Sequence, residues 1–467
     1  MVRQGAGMAL PSTQRPGVFY VFLVVVAVLP FITTTNLWGW WFVTSAAFLL
    51  LAGWLVLRAF SVAGWPPVLK DYRLLLALLI ATWLYLLLKL VPLPAEAVGL
   101  LSPEAARVFS TMDRLVGIPG SPALGLDRGL GLRGLFQLSG YLALFVLVLV
   151  VVTDVRRARL AAYVMATAVG LHGLWGLIDL FGLRLGRGRA EGLFADPNVF
   201  AVFIELGLAL AVGIYIGVLR RRSTGHRWRS RLVAMIDSLM SSRVLLVGLI
   251  LVLFTALFAS GSRGGALAAL TALGVAGVLF RHSARRSRVM GYAVLLSLLA
   301  AASLTWFGGK VVLERMEIPD LGTASRPSIW RSAVRIIDDY PLVGVGAGSW
   351  PSAYSRYREP DLGGYWLPTH AHNDYLQLLA EHGIVGYLLL GGFVMLSVAR
   401  LVAALRVRHD PFIRGLLFGS LAGTLSLLLH SLVDRSFQSF TTAAYFYLIL
   451  ALGLAAARLP REGSELR

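Results

Sequence analysis

The feature that most constrains the fold is a series of twelve apolar runs separated by short, mostly basic segments. The runs are 17–35, 37–57, 74–92, 135–152, 159–180, 197–218, 244–260, 265–280, 290–307, 384–404, 414–431 and 441–457. A helix that crosses a bilayer needs about 20 consecutive, mainly apolar residues, and these runs are near that length. A transmembrane β-barrel would instead show segments of about ten residues with alternating hydrophobicity. We therefore predict an all-α polytopic membrane protein with about twelve transmembrane helices.

The charge distribution sets the predicted topology. The net charge is +19 although only 14% of residues are charged. When the N-terminus is placed in the cytoplasm and the runs alternate, nearly all of the basic excess falls on the cytoplasmic side, as the positive-inside rule requires. The basic blocks 219–231 and 281–288 then anchor the topology and contact anionic lipid, so we expect membrane lipids and no nucleic acid as partners. The chain has no cysteine, which excludes disulfides and thiolate chemistry.

The runs divide the chain into three parts. Residues 1–307 hold transmembrane helices one to nine, with an external segment near 93–134. Residues 308–383 form a large external loop between the ninth and tenth helices. Residues 384–467 hold helices ten to twelve and a cytoplasmic tail, so both termini lie inside.

The external loop and the external segment each show local helix signals. In the loop, 326–341 has apolar residues at helical spacing and arginines on the other side, which predicts an amphipathic helix. A glycine-rich turn follows, and the stretch 370–383 predicts a helix that ends at Gly383. In the segment 93–134, a serine before Pro103 and Glu104 predicts the start of a short helix.

The first external polar set lies in the stretch 186–201, between the fifth and sixth runs. Arg187 and Arg189 lie on a glycine-rich loop, and either Asp196 or Asn198 is suited to cap the helix that follows. Two guanidinium groups beside a helix N-terminus form an anion site. The alternative is a capped turn with solvated arginines.

The second polar set is the stretch 259–267, ASGSRGGAL, where Arg263 lies between two apolar runs. A charge this close to hydrocarbon is unfavourable by several kcal/mol unless it is paired or reaches water. The neighbouring glycines allow a ligand to approach the backbone closely. The alternative is an arginine that reaches lipid phosphates.

The third polar set contains His370 and His372. They are one residue apart and point in different directions on a helix, which argues against a shared metal. A lone histidine is most often a surface or packing residue, yet an imidazole is the natural base at neutral pH. Asp374 or Glu381 is then the expected group that orients it.

Two further features need an explanation. His430 and Asp434 are i, i+4 neighbours. Two interpretations are equally good: their side chains pair with each other at a helix end, or they have a functional role. Glu205 lies inside the sixth run, and a carboxylate within the membrane is a functional candidate, with a loop arginine as its expected partner. External arginines and a histidine, without a Walker motif or a metal-ligand cluster, indicate an anionic substrate that arrives from the membrane. The arginines would hold a diphosphate, and the histidine would activate a hydroxyl.

Several motifs resemble those of the bacterial O-antigen ligase/polymerase superfamily. His372-Asn373, nine residues, Gly383, two residues and Gly386 fit the ligase motif. The stretches RAEGLFADPNVFA, SRGGALAAL and TASRPSIWRSAVRIIDDYPLVGVGAGSW are also similar, and they occur in the same order. The resemblance covers residues 180–440 in motif and the whole chain in topology.

The resemblance implies an enzyme of lipopolysaccharide biosynthesis in the bacterial inner membrane, with its active site in the periplasm. Such a ligase moves a glycan from undecaprenyl diphosphate to a hydroxyl of lipid A–core oligosaccharide, by an inverting glycosyl transfer without metal or cofactor. By position, His372 would be the base, and Arg263 and Arg189 would hold the diphosphate. The further contacts to donor or acceptor are expected from Arg187, Arg326, Asn198, Asn373 and His370.

Three other functions stay open. An O-antigen polymerase or a protein O-oligosaccharyltransferase would use the same donor with another acceptor. A transporter of lipid-linked sugar belongs to another class, and Glu205 is the feature that most favours it. We expect a monomer.

Overall fold

The computed structural model describes residues 16–35, 38–60, 65–117, 122–183, 188–219, 242–282, 326–359 and 368–460. Within these ranges the regular structure is helical throughout, which confirms the predicted all-α class. The helices are α1 (Pro16–Thr35), α2 (Gly39–Ala59), α3 (Pro67–Asp71), α4 (Arg73–Leu88), α5 (Ala95–Leu101), α6 (Pro103–Val116), α7 (Arg128–Val151), α8 (Val155–Ile178), α9 (Pro197–Val218), α10 (Ser242–Ala259), α11 (Arg263–His282), α12 (Arg326–Asp339), α13 (Trp350–Tyr357), α14 (Asp374–Val407), α15 (Pro411–His430) and α16 (Phe440–Arg458). A π-helical turn, Asp179–Leu183, extends α8.

The predicted apolar runs correspond to helices wherever the structure describes them. Nine of the described helices are long and apolar enough to cross a membrane, and α4 and α10 are shorter apolar helices. The predicted ninth run, 290–307, lies outside the described residues, so the count of twelve spans stays a prediction. These helices make the chain a multi-pass membrane protein.

Helices α9, α15 and α16 form the centre of the bundle. In the most apolar stretch of each of these helices, 89%, 78% and 100% of the residues are buried, compared with 28% in α2. Between α9 and α15, a Cβ added at Gly213 would lie 2.4 Å from the Gly415 carbonyl oxygen, and one at Gly415 would lie 2.3 Å from that of Gly213. Small residues allow two membrane helices to approach this closely. This contact joins the end of α9 to the start of α15. The antiparallel packing also brings the end of α15 beside Glu205 of α9, which contacts His430.

Helix α14 is broken at Gly383, the first glycine of the ligase-like motif. Its φ and ψ are 61° and −171°, which only glycine adopts without strain. The glycine-rich turn after α12 packs into this break. Four backbone hydrogen bonds join the two segments: Val345 N to Ala380 O, Gly346 N to Glu381 O, Ile384 N to Pro341 O and Val385 N to Leu342 O. The break therefore attaches the loop between α12 and α14 to the membrane helices.

The predicted helix over 370–383 begins later than expected, at Asp374, and the helix resumes after the break. The buried side chain of Lys89, after α4, holds the same junction by donating to the carbonyl oxygens of Val343 and Glu381. The other predicted local helices are present as α6 and α12.

Candidate functional site

One cavity brings together residues from four of the predicted polar stretches. Its volume is about 530 Å³. It is lined by Arg189, Asn198, Gly261, Ser262, Arg263, Gly264, Leu267, Ala268, Thr271, Arg326, His372, Leu429, His430, Leu432, Val433 and Asp434. Many of these residues lie at the starts of α9, α11, α12 and α14 and at the end of α15. Helix N-termini carry partial positive charge, which adds to the charge of the arginines.

His372 and Asp434 form a pair on the wall of this cavity. Nδ1 of His372 lies 3.1 Å from Oδ1 of Asp434, and Nη2 of Arg326 donates to Oδ2 of Asp434 at 3.2 Å. The His372 side chain is 23% exposed, whereas that of Asp434 is 5% exposed. Because an ionised carboxylate accepts hydrogen bonds, Asp434 favours the tautomer with hydrogen on Nδ1 and leaves the Nε2 lone pair of His372 available.

Asp434 is held as a carboxylate. Burial alone would raise its pKa, but the hydrogen bond from His372 and the nearby positive groups of His430 and Arg326 lower the pKa well below its ordinary value. A charged Asp434 therefore orients the histidine over the whole neutral range.

Backbone geometry directs His372 away from the helix that follows it. Its φ is 49°, in the left-handed region that is uncommon for residues other than glycine. Asn373 then caps α14, because its side-chain oxygen accepts from the backbone N–H groups of Tyr375 and Leu376. The Asn373 amide nitrogen donates to the Leu432 carbonyl oxygen at 2.9 Å, which ties the start of α14 to the segment that carries Asp434.

Arg189 is positioned by its side-chain and backbone contacts. Its guanidinium donates to the Ser260 carbonyl oxygen and, at 3.0 Å, to the side-chain oxygen of Asn198. Beside it, Ala190 N donates to Ala259 O at 2.9 Å. The loop before α9 and the turn before α11 are thereby joined, and both contribute an arginine to the cavity.

Arg263 is the first residue of α11 and is exposed to the cavity. Ser262 precedes it and caps the helix, since its Oγ accepts from Gly265 N at 3.2 Å. Within the part of the chain that the structure describes, Arg263 forms no salt bridge with a carboxylate. Its guanidinium faces the cavity, where it is placed to bind an anion.

Glu205 does not pair with a loop arginine, so that expectation was wrong. Its Oε1 lies 2.8 Å from Nδ1 of His430, and its Oε2 accepts from Ser426 Oγ at 2.5 Å. Of the two interpretations of His430 and Asp434, the side-chain pair is not formed, because Asp434 turns toward His372 and Arg326. What links His430 and Asp434 is a backbone hydrogen bond from Asp434 N to His430 O at 3.0 Å.

Asp374 and Glu381 do not orient His372, contrary to expectation. Asp374 accepts from Phe437 N at 3.0 Å and from the Gln438 amide. Glu381 accepts from Gly348 N, from Trp350 N and from the Gln377 amide. Both carboxylates hold neighbouring loops against α14.

Among the remaining predicted residues that the structure describes, His370 and Asp196 are not part of the cavity lining. Burial lowers the pKa of His370 to about 3, and the imidazole contacts the Gln377 amide at 3.4 Å. Asp196 caps α9 by accepting from Asn198 N and Val199 N, while its second oxygen pairs with Arg435. Arg187 lies outside the described residues.

Among the described residues, no group of three or more His, Cys, Asp or Glu side chains is placed to hold a metal ion. Three arginines and His430 line the cavity with one carboxylate, Asp434, and Glu205 lies directly behind His430. This surplus of positive groups suits a multiply charged anion.

The fold and the cavity define a multi-pass helical membrane protein with a cationic pocket and an oriented histidine. Residues 247–391 match the model of a protein family described as O-antigen ligase, a range that includes Arg263, Arg326, His372, Gly383 and Gly386. This match supports the resemblance to the O-antigen ligase/polymerase superfamily that the motifs indicated. A comparison with curated proteins finds no match for the chain.

Proposed function

We propose that the protein is an O-antigen ligase. It transfers a glycan from undecaprenyl diphosphate to a hydroxyl of lipid A–core oligosaccharide, at the periplasmic face of the bacterial inner membrane. The observation that carries the proposal is the His372–Asp434 pair on the wall of a cavity that three arginines share. The family match supports the class of reaction.

In the proposed reaction, Nε2 of His372 removes the proton from the acceptor hydroxyl. The resulting oxygen attacks the anomeric carbon of the donor sugar from the face opposite the diphosphate, and the bond from that carbon to the diphosphate oxygen breaks. The electron pair of that bond leaves with the lipid diphosphate, and the configuration at the sugar inverts. Asp434 stabilises the imidazolium that forms, which is the role of a buried carboxylate beside a catalytic histidine.

Arg263 and Arg189 bind the diphosphate in this proposal. The leaving group gains negative charge as the bond breaks, and preorganised guanidinium groups stabilise that charge without a metal ion. Arg326 has a mixed role, because it also holds Asp434 at 3.2 Å. Asn198 orients Arg189 through a 3.0 Å hydrogen bond.

The alternative functions differ in their support. A polymerase or a protein O-oligosaccharyltransferase uses the same donor, and the cavity residues do not distinguish the acceptors. A transporter of lipid-linked sugar was favoured by Glu205. That carboxylate is 0% exposed in its side chain and is paired with His430, so it does not line an open path in the described residues.

The acceptor is tested with purified protein in detergent. The glycan-loaded undecaprenyl diphosphate is incubated in EDTA with lipid A–core, with a second portion of lipid-linked glycan alone, or with a serine-rich acceptor protein. Product formed only in the incubation with lipid A–core supports the ligase. Chain lengthening on the lipid-linked glycan indicates a polymerase, and glycosylated protein indicates an oligosaccharyltransferase.

A further inference from the structure

We propose that the buried Glu205–His430 pair positions Arg263 for diphosphate binding and acts through Ser262. The inference deepens the proposed function and rests on it in one respect, namely that the cavity binds a lipid diphosphate. Glu205 and His430 are not among the motif residues that carry the ligase resemblance. Both are positioning residues here, since the group that contacts the substrate is Arg263.

The pair is completely enclosed in the bundle. The side chains of Glu205 and His430 are 0% and 1% exposed, and the distance from Nδ1 to Oε1 is 2.8 Å. The second carboxylate oxygen accepts from Ser426 Oγ. Burying two such groups carries a large desolvation penalty, which is offset only when geometry and hydrogen bonds are good.

The pair contacts the turn that carries Arg263 through Ser262. Because Glu205 accepts the hydrogen on Nδ1, Nε2 of His430 faces the other way, toward Ser262 Oγ at 3.5 Å. The same oxygen caps α11 by accepting from Gly265 N. The chain of contacts from Glu205 through His430 to Ser262 therefore fixes the residue directly before Arg263.

The glycines after Arg263 show how closely the turn is seated on the pair. A Cβ at Gly265 would lie 2.7 Å from Oε1 of Glu205 and 3.2 Å from Cε1 of His430. A Cβ at Gly264 would lie 3.2 Å from Cδ2 of His430. A side chain at either position would displace the start of α11. The two glycines that follow Arg263 therefore pack directly against the buried pair.

A double-mutant cycle between Glu205→Gln and Arg263→Ala tests this inference. Glutamine keeps the shape of Glu205 but removes its charge. We expect each single change to raise KM for the lipid-linked donor about 10-fold or more, since small displacements of a binding group have effects of this size. The double variant should be no worse than Arg263→Ala alone. Effects that multiply would overturn the inference, because the pair would then act independently of Arg263.

A matched control and a second variant keep the test decisive. Thr424→Val changes a buried polar side chain of α15, the helix that carries His430. Thr424 is 1% exposed, and the effect of this change should be independent of Arg263→Ala. If Glu205→Gln does not fold, Gly265→Ala takes its place in the cycle, because it moves the turn and leaves the charges unchanged. A Gly265→Ala effect on KM that persists in the Arg263→Ala background would overturn the inference.

Direct binding separates this inference from the proposed function. Farnesyl diphosphate is titrated into wild type and the cycle variants in detergent. Non-additive loss of its binding supports the positioning role even if wild type transfers no glycan, in which case the ligase proposal alone fails. Equal binding by wild type and Glu205→Gln would overturn the positioning role.

Discussion

Nδ1 of His372 lies 3.1 Å from Oδ1 of Asp434, although 62 residues separate the two in sequence. The contact joins the start of α14 to the segment after α15, and Asn373 strengthens the junction through its bond to Leu432 O. An imidazole held by a buried carboxylate in this way has a fixed tautomer, which is what a general base requires.

Replacing Asp434 with asparagine should lower kcat of glycan transfer about 100-fold or more, because an amide can present a donor to Nδ1 and favour the wrong tautomer of His372. The measurement is transfer with saturating donor. Asp338→Asn, at an exposed carboxylate of α12, is the matched control and should leave the rate unchanged. A nearly normal rate for Asp434→Asn would remove Asp434 from the mechanism.

Arg263→Ala should weaken donor binding and transfer together, by about 10- to 100-fold, because a guanidinium that stabilises the leaving diphosphate acts in both. Arg263→Lys should restore part of the loss, since lysine keeps the charge but not the two-pronged geometry. The measurement is kcat and KM for the lipid-linked donor, with Arg114→Ala on the exposed part of α6 as the control. Full activity in Arg263→Lys would show that charge alone suffices.

The pH dependence of stability should report the lowered pKa of Asp434. Its folded pKa lies below the unfolded value of about 4, so its contribution is complete above that value and is lost as pH falls through the folded pKa. The difference in thermal midpoint between wild type and Asp434→Asn should be constant from pH 8 to 5 and shrink only at lower pH. A difference that already shrinks between pH 7 and 5 would contradict the ionised state assigned to Asp434.

Gly383→Ala should destabilise the attachment of the loop, by about 1–3 kcal/mol, because a residue with a Cβ is strained at this φ. The added Cβ would also lie 2.3 Å from the Leu342 carbonyl oxygen. Gly391→Ala is the control on the same helix, since its Cβ would meet nothing within 4 Å. Thermal unfolding in detergent should show a lower midpoint for the first variant only. Equal midpoints would mean that the break does not hold the loop.

The sequence was sufficient for the features that depend on local composition. Apolar runs of membrane length predicted the spans that the structure describes. The spacing from His372 to Gly383 and Gly386 predicted the resemblance that the family match over residues 247–391 supports. The structure adds a reason for that spacing. Gly383 makes the break in α14, and a Cβ at Gly386 would lie 2.5 Å from the Cβ of His382.

The pairing of charged side chains was not predictable, because it depends on how distant helix ends meet. The i, i+4 spacing left open whether Asp434 pairs with His430 or has a functional role, and the end of α15 turns it toward His372. Glu205 was assigned to an arginine, and its partner is His430, 225 residues away. A periodicity argument finds i, i+4 partners and has no information on contacts of this range.

The role of His372 is best tested by transfer from glycan-loaded undecaprenyl diphosphate to lipid A–core in EDTA, with wild type and His372→Ala compared at saturating donor. We predict transfer by wild type, loss of at least about 100-fold in the variant, and nearly equal binding of farnesyl diphosphate by both. Substantial transfer by His372→Ala, or dependence of the wild-type rate on added divalent metal, would contradict the mechanism.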